Sequence, residues 1–130
     1  MKALATGGAG LIGSHLAEAL WPRGVQVVAL DNLRLGRVAE LAWKRSGDAL
    51  EFLEDDAGDE KLLRKVLPGC DWIVHEAALP SVPESVADPI TSNAQNLDVA
   101  LRLAGCGPCC AGDSSASDRG SAVRKHNFVE

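Results

Sequence analysis

The sequence predicts an α/β fold, a parallel sheet with helices on both faces, and three observations carry that prediction. Short apolar runs recur at residues 3–5, 25–30, 50–53 and 70–75, the pattern of strands buried on both sides. Between them lie stretches with apolar residues at helical spacing, ended by breaks that contain Gly or Pro. The first apolar run leads straight into a glycine-rich turn, Ala5-Thr6-Gly7-Gly8-Ala9-Gly10-Leu11-Ile12-Gly13, that joins strand to helix.

Each element follows in order. Lys2 to Thr6 is a short buried strand, and Leu11 to Trp21 carries apolar residues at 11, 12, 16, 17, 19, 20 and 21, a helical face closed by Pro22-Arg23-Gly24. Val25 to Leu30, apolar apart from Gln26 and rich in β-branched residues, is the second strand. Asn32 to Arg37 is a polar loop, and Val38 to Arg45 is expected to be helical until Ser46-Gly47-Asp48 breaks it. Leu50 to Leu53 makes a third strand and Lys61 to Leu67 a helix closed by Pro68-Gly69; Cys70 to His75 makes the fourth strand. Leu79 to Pro89 holds three prolines and is expected to be a loop; Ile90 to Ala104 supports a helix carrying Asn93 and Asn96.

Beyond Leu103 the pattern stops. Gly105 to Ser121 holds four glycines, four serines and three cysteines with no Leu, Ile, Val or Phe, and Val123 to Glu130 carries the charged Arg124, Lys125 and Glu130. Residues 1–104 are therefore expected to form one domain, its parallel sheet truncated after about four strands with right-handed crossovers. Residues 105–130 are expected to be an irregular or disordered tail that leaves the fourth strand as an open apolar edge.

Composition bounds the function. At 130 residues, 46% hydrophobic and 24% charged, the chain has the make-up of a soluble domain with a real core. A net charge of -5 gives no reason to expect nucleic acid or an anionic membrane surface as partner. No apolar stretch approaches the roughly 20 residues that span a bilayer, and Met1-Lys2 runs into a strand without a signal-peptide pattern, so a cytoplasmic setting is the expectation. Cys106-x-x-Cys109 has the spacing of a zinc half-site or a redox pair, but no matching Cys/His pair follows, and no metal is expected.

The chemistry concentrates at strand ends. Gly7, Gly10 and Gly13 fall three apart, which suits a phosphate-binding turn: one glycine for the tight turn, one for close approach of backbone to a pyrophosphate, one for packing helix on strand. An ordinary tight turn between strand and helix fits the same glycines. Asp31 stands at the end of the second strand, 18 residues after Gly13. In a dinucleotide-binding unit an acid there accepts hydrogen bonds from the adenosine ribose and repels the extra phosphate of NADP, which favours NAD; an acid capping the next helix is the alternative. Glu54, Asp55, Asp56 and Asp59 precede a helix, whose dipole alone explains acids there. His75-Glu76-Ala77-Ala78 ends the fourth strand, where small side chains let a cofactor lie against backbone. His75 itself reads more plainly as a packed or solvent-facing side chain than as a catalyst.

Four segments together resemble one family. They are Thr6 to Leu16, then Asp31-Asn32-Leu33, then Phe52 to Asp56, and finally His75 to Pro89. In combination they are similar to the extended short-chain dehydrogenase/reductases, Rossmann-like proteins, and within them to NAD-dependent sugar-nucleotide epimerases and dehydratases, which implies a sheet in the strand order 3-2-1-4. The run Asp88 to Asn96 most resembles UDP-hexose 4-epimerases, and the likeness spans residues 1–103. It implies that Gly7, Gly10, Leu11, Ile12 and Gly13 line the pyrophosphate of NAD. Asp31 and Asn32 would hold the adenosine ribose, Asp56 and Ala57 would flank the adenine, and Ala77 and Ala78 would lie near the nicotinamide. Ser85 corresponds to a position close to a nucleotide-sugar substrate, and Asn96 to one that braces the helix on the cofactor side.

The same resemblance sets a limit. The family carries a Tyr-x-x-x-Lys pair whose tyrosine is the general base for the sugar hydroxyl, and these 130 residues contain no tyrosine. No catalytic residue is assigned, and the resemblance implies the N-terminal NAD-binding part of a sugar-nucleotide epimerase or dehydratase, inactive alone; the alternatives are a catalytically dead nucleotide-binding module or the non-functional product of a frameshifted gene. Leu103 to Cys110 can be encoded by a GC-rich stretch that, read one base out of frame, gives Leu-Asp-Ala-Ala-Arg-Ala-Ala, the helix ending the resemblance implies. On this hypothesis the frame shifts near residue 100.

Overall fold

The computed structural model describes residues 1–42 and 50–106 and the backbone of 128–129. Strands β1 (Lys2–Thr6), β2 (Gln26–Asp31), β3 (Leu50–Glu54) and β4 (Trp72–His75) form a parallel sheet in the order β3-β2-β1-β4. Helix α1 (Leu11–Leu20) connects β1 to β2, and α2 (Glu60–Val66) connects β3 to β4. The predicted α/β class and strand order hold, with boundaries shifted by one or two residues.

Alternation along the strands explains the two faces. Ala3, Ala5, Val27, Ala29 and Val74 face one way and meet Ala9 and Ala17. Leu4, Val28, Leu30 and Ile73 face the other, against Leu63 of α2, Leu67 at its C-terminal cap, and Val99 and Leu103 of α5 (Val99–Cys106). The first face is small for a reason: the buried residues of α1 are Gly13, Ser14 and Ala17, so this helix lies close on the sheet. The second face is filled mainly by leucines, Leu4, Leu30, Leu63, Leu67 and Leu103, all essentially without exposure.

Four expectations need correction. Val38–Leu41 is a 3₁₀ turn; most of the remainder of the helix expected over 38–45 lies outside the described residues. The proline-containing stretch after β4 is not all loop: it holds α3 (Val82–Ala87), and α4 (Pro89–Asn93) begins at its end. Ser81 Oγ accepts the Glu84 N–H and Asp88 Oδ1 the Thr91 N–H, while Pro83 and Pro89 sit in first turns, where proline has no partner to lose. The helix expected over 90–104 is interrupted by a π turn, Ala94–Asp98, between α4 and α5.

The last correction concerns the sheet edge. A two-residue strand, β5 (Phe128–Val129), pairs in parallel with β4, Ile73 opposite Phe128 and Val74 opposite Val129. The open edge of β4 offers unpaired N–H and C=O groups, and a β-prone Phe-Val pair satisfies some of them. Gly105 and Cys106 belong to α5; the rest of the expected tail, Cys109 included, lies outside the described residues. No described helix is long and apolar enough to cross a membrane.

Candidate functional site

The C-terminal ends of three strands lie level, Thr6 opposite Leu30 on one side and His75 on the other. There the chain leaves the sheet at residues 7–10, 32–36 and 76–79, and the three loops wall a cleft of about 150 Å³. This is the point where strand order reverses, β2 and β4 flanking β1, the usual crevice of open α/β sheets.

The floor is the glycine turn. Gly7 has φ +66°, and a Cβ on it would lie 2.7 Å from the Ala77 nitrogen, so only glycine lets this turn run against the third loop. Gly10 caps α1 and donates its N–H to the Gly7 carbonyl at 2.9 Å. A Cβ on Gly13 would stand 2.2 Å from that same carbonyl, which measures how tightly the first turn of α1 is seated on the loop. No side chain caps α1 and no acid stands in its first turn. Its opening N–H groups and positive dipole end are thus left to face an anion. Leu11 and Ile12 keep their side chains largely exposed beside it.

Asp31 organises the second wall. It is 8% exposed; Oδ2 accepts the Ala9 N–H at 3.0 Å and Oδ1 the Leu33 N–H at 2.8 Å. The acid therefore does not cap a helix but ties the glycine turn to the loop after β2, and the Arg37 N–H closes the tie on the Ala9 carbonyl. A carboxylate has about four lone-pair directions, so two remain for hydroxyl donors. Asn32 accepts the Arg34 N–H and approaches Asp56 Oδ2 at 3.5 Å; Asp56 in turn accepts the Gly58 N–H. Of the neighbouring acids, Asp59 caps α2 through the Lys61 and Leu62 N–H groups.

The third wall is Glu76 to Leu79. Ala77 and Ala78 present small side chains to the cleft, and the Asn96 amide brackets Leu79 from behind, accepting its N–H at 2.7 Å and donating to its carbonyl at 3.3 Å. Gly7, Gly10, Asp31, Asn32, Asp56, Ala57, Ala77 and Ala78 all line the cleft. Leu11, Ile12 and Gly13 follow Gly10 on α1 and do not line it. Ser85 does not reach it: its hydroxyl donates to the Val82 carbonyl within α3. His75 is half-buried with Nδ1 2.6 Å from Thr6 Oγ1, a packed position.

Sequence reasoning passed over four residues. Gly8 packs on the sheet, a Cβ there meeting Ala29 Cβ at 2.7 Å; its place in a Gly-Gly pair was the available signal. Glu76, Arg34 and Gln95 also line the cleft. Arg34 bonds to groups 50 and 61 residues away, which no local pattern reveals.

Comparison with known proteins identifies the family. Residues 3–108 match the model of the NAD dependent epimerase/dehydratase family. The chain is 37% identical over 107 residues to a UDP-glucose 4-epimerase of Neisseria meningitidis serogroup B, covering 79% of this chain and 32% of that protein. To a UDP-glucose 4-epimerase of Klebsiella pneumoniae it is 36% identical over 107 residues, covering 79% of this chain and 77% of that sequence. The structure of the Thermus thermophilus UDP-glucose 4-epimerase in complex with NAD superposes with a TM-score of 0.69 and 35% identity, over 82% of this chain and 33% of that one. The chain thus spans about a third of the length of the Neisseria and Thermus relatives. With the family pattern matched from β1 through α5, the chain belongs to the NAD-dependent epimerase/dehydratase family.

Proposed function

We propose that the cleft binds NAD and that the chain is the N-terminal, cofactor-binding part of a sugar-nucleotide 4-epimerase whose parent substrate is a UDP-sugar. The observation that carries this reading is the uncapped N-terminus of α1, seated on the Gly7 carbonyl and tied through Ala9 to Asp31. The glycines leave the space a pyrophosphate needs, and the helix end supplies N–H donors and a favourable dipole. Asp31 keeps lone pairs for the ribose hydroxyls, with Asn32 beside it, and its charge disfavours a 2′-phosphate. Asp56 and Ala57 border the adenine; Ala77 and Ala78 leave room for the nicotinamide side, held in place by Asn96. The substrate role that the resemblance implies for Ser85 has no support in the cleft, which its side chain does not line. Reversible acceptance of a hydride from the sugar ring is the chemistry that NAD supplies when bound.

The chain's own residues hold and orient; none of these 130 is a tyrosine that would take the sugar hydroxyl proton. We therefore assign no turnover to this polypeptide alone. That absence also favours a second reading, a nucleotide-binding module without catalysis or the product of a frame shift near residue 100, which the coding DNA decides. Calorimetric titration with NAD and NADP tests the main reading. NAD should bind at least about tenfold tighter, the effect of one unfavourable charge contact near 1.4 kcal/mol. Equal affinities would remove the role given to Asp31, and absence of binding by either would overturn the cofactor reading.

A further inference from the structure

We propose that Arg34 is a positioning residue that clasps the mouth of the cleft, tying the loop after β2 to α3 and the π turn, and so slows the escape of a bound dinucleotide. The second half rests on the NAD reading above. The guanidinium is used as a two-ended fork: Nη1 donates to Gln95 Oε1 at 2.9 Å and Nη2 to Glu84 Oε2 at 3.1 Å. Gln95 belongs to the π turn and Glu84 to α3, so one side chain from the second wall reaches two elements that follow the third. Arg34 and Leu79 line both the main cleft and a neighbouring recess of about 140 Å³ that Glu84, Ala87 and Thr91 complete. Arg34 and Leu79 thus stand at the boundary between the two.

The two ends of the clasp differ in how firmly they are held. On the loop side, Asp31 Oδ1 accepts the Leu33 N–H and Asn32 Oδ1 the Arg34 N–H, and Leu33 is held at φ +57°, a conformation bulky residues seldom adopt. The backbone that presents Arg34 is therefore fixed on Asp31. On the other side α3 contributes no buried residue, and Val82 and Val86 are 75% and 78% exposed. With no buried residue of its own, α3 is held by its packing on α4 and by the Arg34 fork that reaches it from the cleft. The fork also explains why arginine is used: a lysine ammonium is a single point and cannot span both acceptors in fixed geometry. Arg34 and Glu84 are 44% and 51% exposed, so the clasp is screened by salt and opens readily.

Amide hydrogen exchange on the ligand-free chain and the rate of NAD release, measured on the parent, Arg34→Ala and Arg34→Lys, test the proposal. Loss of one exposed ion pair and one hydrogen bond should speed exchange at 82–87 and NAD release about fivefold in Arg34→Ala, with Arg34→Lys between it and the parent. Exchange in α2 should stay unchanged, which shows that the fold survives. Raising salt from about 0.05 to 0.5 M should erase most of the difference in release between parent and Arg34→Ala. Unchanged exchange at 82–87 would overturn the clasp, whether or not NAD binds. Faster exchange with unaltered release would overturn its part in retention. A parent that binds no NAD would defeat the cofactor reading and retention together, while the exchange result still decides the clasp.

Discussion

Gly13→Ala is the substitution that presses hardest on the seat of α1. Its new Cβ would lie 2.2 Å from the Gly7 oxygen, 2.8 Å from the Gly7 carbonyl carbon and 3.0 Å from the Gly8 Cα. All three are backbone atoms, so no side-chain rotation relieves the overlap, and the helix must lift by about 1 Å to reach ordinary contact. Overpacking of this kind costs about 1–3 kcal/mol, and a collision with backbone belongs at the top of that range. Alanine offsets roughly 1 kcal/mol through its better helix propensity, which leaves a net loss of about 2 kcal/mol. Urea unfolding followed by far-ultraviolet circular dichroism reads this directly, and the melting temperature should fall by roughly 6–8 °C. Gly105→Ala is the control: it lies in α5 with nothing within 4 Å of its Cβ position, so it should gain up to about 1 kcal/mol. A Gly13→Ala protein as stable as the parent would refute the close seating of α1 on the Gly7 carbonyl.

Two further outcomes are expected. Asp31→Ala should lose about 2 kcal/mol of stability by stranding the Ala9 and Leu33 N–H groups, with Asp31→Asn losing less because it keeps an acceptor; urea unfolding distinguishes them. Burial pushes the Cys70 thiol above its ordinary value of 9.0, and its Sγ donates to the Val66 carbonyl. In the unfolded chain that thiol ionises first, so its contribution is complete below pH 9 and fades as pH rises through the folded-state value. Cys70→Ala should flatten the alkaline limb of the stability profile, and iodoacetamide should label Cys70 far more slowly in the folded chain than in urea.

What the sequence made legible was local. Alternation of apolar runs with helical spacing marked four strands, the Rossmann-like resemblance supplied their order, and glycine spacing followed by Asp31 located the cleft. Asp31 was placed correctly but not fully understood: its hydrogen bonds to Ala9 and Leu33 depend on how two loops meet, which spacing does not encode. Helix α3 was legible yet passed over, because three prolines outweighed the Ser81-x-x-Glu84 start signal. The β5 pairing arises from an open edge on β4 instead of from the composition of residues 105–130. The Arg34 clasp is of the same non-local kind, formed by three elements whose sequence separation hides it.

The central claim is that a dinucleotide occupies the cleft with its pyrophosphate on the start of α1. Amide chemical-shift mapping on addition of NAD tests it most directly. The largest shifts should fall on Gly7, Gly8, Gly10 to Gly13 and Asp31 to Leu33, with smaller ones at Asp56 to Gly58 and Ala77 to Leu79. Amides of α2 on the opposite face should not move. Shifts centred on α2 or α5, or no shifts at NAD concentrations that saturate the calorimetric titration, would contradict the account.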